Sequence, residues 1–186
     1  MPPLAGWALS PAGLLYLADA IERREADLVV ECGSGTSTLW MALAMRLRGT
    51  GRVLSLEHQE QYAEQTRAVL AAHGVSEWAE VRVCPLVSTP TPRGDFRWYD
   101  LDVTSIDQSI DVLLVDGPPG STGRHARYPA LPGLAPLLAE NSLIVFDDAD
   151  RADERDVLTF WADEVPGLAR LASPGRGVEV MQTSRA

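Results

Sequence analysis

The chain has 186 residues, 46% of them hydrophobic and 23% charged, with a formal net charge of −10. That length suits one domain with a sizeable core, and the acidic balance argues against non-specific binding to nucleic-acid phosphates. No apolar run approaches the ~18 residues a membrane span needs, and no basic leader precedes an apolar stretch, so a cytoplasmic protein without membrane partners is expected.

Ser10-Pro11 is a good helix start, since serine caps and proline suits the first turn. Leu14, Leu17, Ala18 and Ile21 recur at helical spacing, which predicts a helix over 11–24 that precedes the core at 28–186. Leu28 to Cys32 is the first predicted strand. It runs into Gly33-Ser34-Gly35-Thr36-Ser37-Thr38, a glycine turn followed by hydroxyls, and then a helix with Leu39, Leu43 and Leu47 on one face. Arg52–Glu57 is the second strand. A helix over 59–72 follows, with Tyr62, Thr66, Val69 and Leu70 expected inward and His73-Gly74 at its end. Ala79 to Cys84 is the third strand. Both cysteines, Cys32 and Cys84, fall in apolar strands and read as reduced core residues.

Residues 85–108 hold three prolines, Gly94 and the aromatics Phe96, Trp98 and Tyr99, and read as a long loop. Ile110 to Val115 is the fourth strand, ending in Asp116-Gly117-Pro118-Pro119. A polar stretch with Arg124, His125 and Arg127 leads to a helix expected up to Ala139. Ser142 to Phe146 is the fifth strand, ending in Asp147-Asp148. Asp150 is expected to cap the next helix, with Asp153 in a capping-box position and Val157, Leu158 and Trp161 inward. Two further strands, 168–172 and 177–183, close the chain without a helix between them. Alternating strands and helices imply an α/β fold: a doubly wound, mostly parallel sheet in a single three-layer domain, with a C-terminal antiparallel hairpin.

In such a sheet, ligands bind beyond the carboxyl ends of the strands. Glu31, Glu57, Asp116, Asp147 and Asp148 all fall at those ends, so acids gather on one rim. Gly33 and Gly35 let a ligand approach the backbone. Glu57, 24 residues after Gly33, offers two acceptor oxygens to a ribose. A dinucleotide fingerprint wants a third glycine where this chain has Thr38.

The order Glu31-Cys32-Gly33-Ser34-Gly35, Leu54-Ser55-Leu56-Glu57, Leu113-Leu114-Val115-Asp116-Gly117 and Val145-Phe146-Asp147-Asp148 resembles class I S-adenosylmethionine-dependent methyltransferases, whose fold is Rossmann-like. The likeness spans about Leu28 to Trp161. It implies S-adenosylmethionine as cofactor, with Glu31, Gly33, Ser34 and Gly35 around its methionine part and Ser37 on its carboxylate. Glu57 would hold the ribose, His58 would lie beside the adenine, and Pro85 and Leu86 would wall it. Asp116 would close the site at the fourth strand. Asp116, Asp147 and Asp148 resemble the metal ligands of cation-dependent O-methyltransferases, which implies Mg²⁺. Three converging carboxylates would repel one another unless a hard cation joined them.

The chain departs from catechol-type relatives at Pro119, where they carry a lysine base. His125 or Asp116 is then left to take the proton. Arg124 and Arg127 could hold an acidic group on the substrate, pair with the acid rim, or face water. The expected activity is methyl transfer to an oxygen of a small molecule, a sugar hydroxyl first and a phenol second. The alternatives are a nicotinamide-dependent oxidoreductase and a catalytically inactive S-adenosylmethionine-binding protein. Analogy with small methyltransferases points to a homodimer.

Overall fold

Val29 and Val30 sit on opposite faces of one strand, and both are fully buried. Side chains alternate along a strand, so burial on both faces requires a layer above and a layer below. The computed structural model describes residues 9–184 and shows both layers.

The strands are β1 (Leu28–Cys32), β2 (Arg52–Glu57), β3 (Ala79–Val83), β4 (Leu86–Thr91), β5 (Gly94–Tyr99), β6 (Ile110–Val115), β7 (Leu138–Phe146), β8 (Ala169–Arg170) and β9 (Glu179–Gln182). The helices are α1 (Pro11–Arg23), α2 (Thr36–Arg48), α3 (Glu60–Ala72), α4 (Ala130–Leu134) and α5 (Ala152–Glu164). Seven strands form one sheet in the order β3-β2-β1-β6-β7-β9-β8. β1 pairs in parallel with β2 on one side and β6 on the other, with Val30 opposite Leu54 and Leu113. The chain therefore winds outward from β1 in both directions, and the crevice of the switch point opens at the carboxyl end of β1. β9 runs antiparallel to both β7 and β8, which makes the closing hairpin.

One core lies between the sheet and α1, α2 and α3, where Leu14, Leu17, Ile21, Leu39 and Met45 pack on Val29, Val53 and Val145. The other lies on the opposite face, where Tyr128, Leu131, Leu158 and Trp161 pack on Val30, Leu113 and Phe146. Ser10 caps α1 by accepting from the Gly13 amide at 3.2 Å. Among the described residues no helix is long and apolar enough to cross a membrane.

The stretch expected as a loop over 85–108 contains an antiparallel ribbon, with Leu86 opposite Tyr99 and Pro90 opposite Asp95. Prolines break central strands, but each strand of a two-stranded ribbon has a free edge that tolerates them. Arg93, at the tip, pairs with Glu164, and its guanidinium lies 3.8 Å above the Phe160 ring centroid, so the ribbon is pinned to α5.

The helix expected up to Ala139 is only Ala130–Leu134, followed by a 3-10 turn. Pro136 has no amide for the helical ladder and stops it. The fifth parallel strand accordingly begins early, at Leu138.

Asp150 does not cap α5, because Arg151 occupies that position with no side-chain bond. Asp150 instead faces Arg176 at 3.3 Å, and Asp153 faces Arg124 at 3.6 Å.

Finally, Leu47 is exposed, and Tyr62 and Val69 do not point into the core. Tyr62 and Val69 line a cleft instead.

Candidate active site

The site begins where β1 ends. Gly33 has φ +94°, a conformation that L side chains avoid, and an added Cβ would stand 3.4 Å from the Asp116 backbone. The Gly33 amide donates to the Leu56 carbonyl at 2.9 Å, which fixes the turn against β2. At Gly35 an added Cβ would meet no protein atom within 4 Å, so the chain leaves open space there.

Glu31 lies beneath this turn, fully buried. It shares a strand face with Val29, the face that α2 covers, and so accepts from the hydroxyls of Ser37, Thr38 and Ser55. Thr38 Oγ1 in turn accepts from the Gly35 amide at 2.9 Å. Glu31 and Ser37 therefore brace the turn from inside and do not line the cleft. Burial pushes the Glu31 carboxyl up to about 7, against the three hydroxyl bonds, which pull it down.

Below about pH 4.5 both folded and unfolded chains hold the proton. As pH rises from about 4.5 to 7 the unfolded chain ionises first, so stability falls by about 3 kcal/mol across that window. Glu31→Gln is expected to remove that fall. Urea denaturation of both proteins at pH 5 and pH 7.5 checks it, and parallel pH dependences would refute it.

Glu57 closes the turn from β2. Its Oε2 accepts from the Ser34 amide at 3.2 Å and the Ser34 hydroxyl at 3.1 Å, and its Oε1 accepts from the Gln59 amide at 2.9 Å. His58 Nδ1 stands 2.9 Å from the same Oε1. Ser34 Oγ also meets Thr66 Oγ1 of α3 at 3.1 Å. One carboxylate thus orders the turn and the end of its own strand.

The acids at the ends of β6 and β7 converge. Asp116, Asp147 and Asp148 each offer an oxygen within 4.8 Å of the others. Burial holds Asp116 well above its ordinary range. Arg127 beside it pulls the other way, and Asp147 and Asp148 push it further up. Burial also raises Asp147, with the Asp148 backbone amide and then Arg127 among the opposing influences. Arg127 Nη1 donates to the Asp147 carbonyl at 2.8 Å, while Nη2 donates to Asp148 Oδ2 at 2.7 Å and to Asp116 Oδ1 at 3.3 Å. Arg151 Nη1 lies 2.8 Å from Asp148 Oδ2. The repulsion that suggested a metal is therefore offset by two guanidinium groups.

A single cleft of about 560 Å³ joins the two halves. Gly33, Ser34, Gly35, Glu57 and His58 line one end, and Asp116, Asp147, Asp148 and Arg127 line the other. Besides Glu31 and Ser37, four expected residues lie outside it. The Pro85 carbonyl accepts from the Asp100 amide at 2.8 Å, and Leu86 packs against the inner core. Arg124 and His125 turn toward α5, where His125 Nε2 lies 3.0 Å from Asp156 Oδ2 and Arg124 Nη2 lies 3.5 Å from the same oxygen.

Tyr62, Thr66, Tyr99 and Arg151 line the cleft without having been expected there. Tyr62 and Thr66 are one helical turn apart on α3, a signal available in the sequence. Tyr99 was hidden by the loop reading. Its hydroxyl is buried without a protein partner among the described residues.

A methyltransferase domain model matches residues 30–149, about two thirds of the chain. The chain belongs to the methyltransferase domain family. It is a class I S-adenosylmethionine-dependent methyltransferase, as the order of its motifs implied. The methyltransferase is 32% identical over 175 residues to the catechol O-methyltransferase of Mycobacterium tuberculosis, covering 90% of this chain and 73% of that one. Its fold matches the O-methyltransferase from Bacillus cereus in complex with S-adenosylhomocysteine, at 18% identity and a TM-score of 0.69, covering 98% of this chain and 84% of that one. It also matches the O-methyltransferase TomG from Streptomyces achromogenes in complex with S-adenosylmethionine, at 20% identity and a TM-score of 0.69, covering 100% of this chain and 84% of that one.

Proposed function

We propose that this methyltransferase carries a methyl group from S-adenosylmethionine to an oxygen of a small acceptor, a sugar or phenolic hydroxyl. The observation that carries the reading is the single cleft in which the glycine turn Gly33 to Gly35, with Glu57, meets an acidic end at Asp116 and Asp147. The likeness to a catechol O-methyltransferase supports oxygen as the acceptor atom. The open space at Gly35 and the unpartnered Tyr99 hydroxyl are features a bound cofactor would use.

When bound, S-adenosylmethionine supplies a methyl carbon activated by its sulfonium. The residues of this chain then have three tasks. The first is to hold the two ends of the cofactor. With the Ser37 hydroxyl spent on Glu31, the opening turn of α2 would hold the methionine carboxylate, since the helix dipole favours negative charge there. Glu57 offers its two oxygens to the ribose, exchanging the Ser34 hydroxyl for a ribose hydroxyl. His58, next to Glu57 on the cleft wall, would lie beside the adenine.

The second task is alignment, because in-line displacement gains most of its rate from holding the acceptor oxygen behind the methyl carbon. The third is to take the acceptor's proton. Asp116, which lines the cleft at the end of β6, is the carboxylate placed to take it when ionised. The O–H pair would stay on oxygen and form the new C–O bond, while the C–S pair would leave with sulfur as the neutral thioether of S-adenosylhomocysteine. His125 lies away from the cleft and takes no part.

For Mg²⁺ the cluster offers both ligands and an obstacle. The three acids supply hard oxygen atoms at a suitable spacing. A guanidinium nitrogen, however, already lies 2.7 Å from Asp148 and 3.3 Å from Asp116. An ion bound at ~2.0–2.1 Å from those oxygens would press against that cation. As arranged the residues do not fit the ion.

Calorimetric titration with S-adenosylhomocysteine tests the cofactor. Micromolar affinity, about 8 kcal/mol, is expected at one site, and absence of both heat and thermal shift would end the reading. Labelled methyl transfer to panels of sugars, catechols and amines then tests the acceptor. Product on hydroxyl groups is expected, and product confined to amines would overturn the oxygen assignment.

A further inference from the structure

We propose that Arg127 is the resident cation of the acid cluster, standing where metal-assisted methyltransferases would place a divalent ion, and that it positions Asp116 and Asp148 so that this chain works without one. The proposal rests on reading the cleft as the methyl-transfer site.

The side chain of Arg127 is 4% exposed. Arginine is rarely buried so deeply unless its charge is matched. Here one guanidinium touches all three acidic residues, two through their carboxylates and Asp147 through its carbonyl. It is also held from behind. The next residue, Tyr128, is fully buried, donates its hydroxyl to Glu164 at 2.6 Å, and accepts on its carbonyl from Trp161 Nε1 at 2.9 Å. The Tyr128 amide donates to the His125 carbonyl at 2.9 Å, closing a turn that aims Arg127 at the cluster. Arg127 is therefore anchored by core packing and is not a surface side chain that drifted into the acids.

The chemistry suits the place. A guanidinium is planar, keeps its charge at any working pH, and presents several donors in a fixed fork. It can hold two carboxylates of different strands at hydrogen-bond distance without itself being removable. Arg151, 45% exposed, adds a second charge on Asp148 from the solvent side. A metal ion would compete with both for the same oxygens. Arg127 is a positioning residue in this account, since its contacts are with the acids.

The test uses Mn²⁺ as a paramagnetic stand-in for Mg²⁺, followed by electron paramagnetic resonance with S-adenosylhomocysteine present. The wild-type chain is expected to leave the free Mn²⁺ signal undiminished up to about millimolar metal. Arg127→Met should bind Mn²⁺ at least tenfold more tightly, because three carboxylates lose their internal counter-charge, and Arg127→Lys should reverse most of that gain. A purely structural role would not create a metal site. Unchanged Mn²⁺ affinity in a folded Arg127→Met would overturn the proposal. So would micromolar Mn²⁺ binding by the wild type that Asp148→Asn abolishes, a result that needs no Arg127 variant to fold. Loss of S-adenosylhomocysteine binding in the wild type would instead refute the methyl-transfer reading, so the two failures are distinguishable.

Discussion

Glu57→Ala is expected to lower the affinity for S-adenosylhomocysteine at least a hundredfold, about 2.7 kcal/mol. Two losses add. The ribose loses a charged acceptor, and hydrogen bonds to charged groups contribute about 1.5–3 kcal/mol each. The glycine turn also loses its tie, since the Ser34 amide and hydroxyl and the Gln59 amide all donate to this carboxylate. Glu57→Gln keeps the shape and one acceptor oxygen, so its loss should be roughly tenfold, in line with the cost of a weakened single bond. Calorimetry on both variants, with circular dichroism to show that they fold, checks the prediction. An alanine variant within threefold of wild type would remove Glu57 from the cofactor site.

Trp161→Ala should have the largest effect on stability, a loss of about 3–5 kcal/mol. The side chain is fully buried on α5 and meets Phe146 edge-on at 5.2 Å. Its Nε1 donates to the Tyr128 carbonyl at 2.9 Å. Phe146 directly precedes Asp147, and Tyr128 directly follows Arg127. The indole thus props both sides of the acid cluster from behind, and its removal should loosen the cleft as well as the core. Trp161→Phe should cost less, with the Tyr128 carbonyl losing its donor. Urea denaturation and thermal melting check this, with a fall in melting temperature of roughly 10 °C expected for alanine. A loss below about 1 kcal/mol would show that the surrounding core closes over the gap.

The order of elements was legible because the strands are short apolar runs and the helices between them carry a 3.6-residue period. The glycine turn and the acids at the strand ends were legible for the same reason: a doubly wound sheet puts the carboxyl ends of its parallel strands on one edge. What sequence order could not give was direction. Glu31 looks like part of the rim, yet it shares a face with Val29 and points under α2. Strand alternation carries that information, but only once the covered face is known. Arg127 carried no periodic signal at all. Its place among Asp116, Asp147 and Asp148 comes from the packing of Tyr128, which joins distant parts of the chain. Tyr99 was lost because Pro85, Pro90 and Pro92 read as loop punctuation, while an isolated ribbon accommodates proline at its edges.

The most direct measurement is a crystal structure of the protein grown with S-adenosylhomocysteine. Ligand density is expected across Gly33 to Gly35, with ribose hydroxyls on Glu57, adenine beside His58, and the Arg127 guanidinium still between Asp116 and Asp148. Density for the ligand at any other surface, with that cleft empty or closed by side chains, would contradict it.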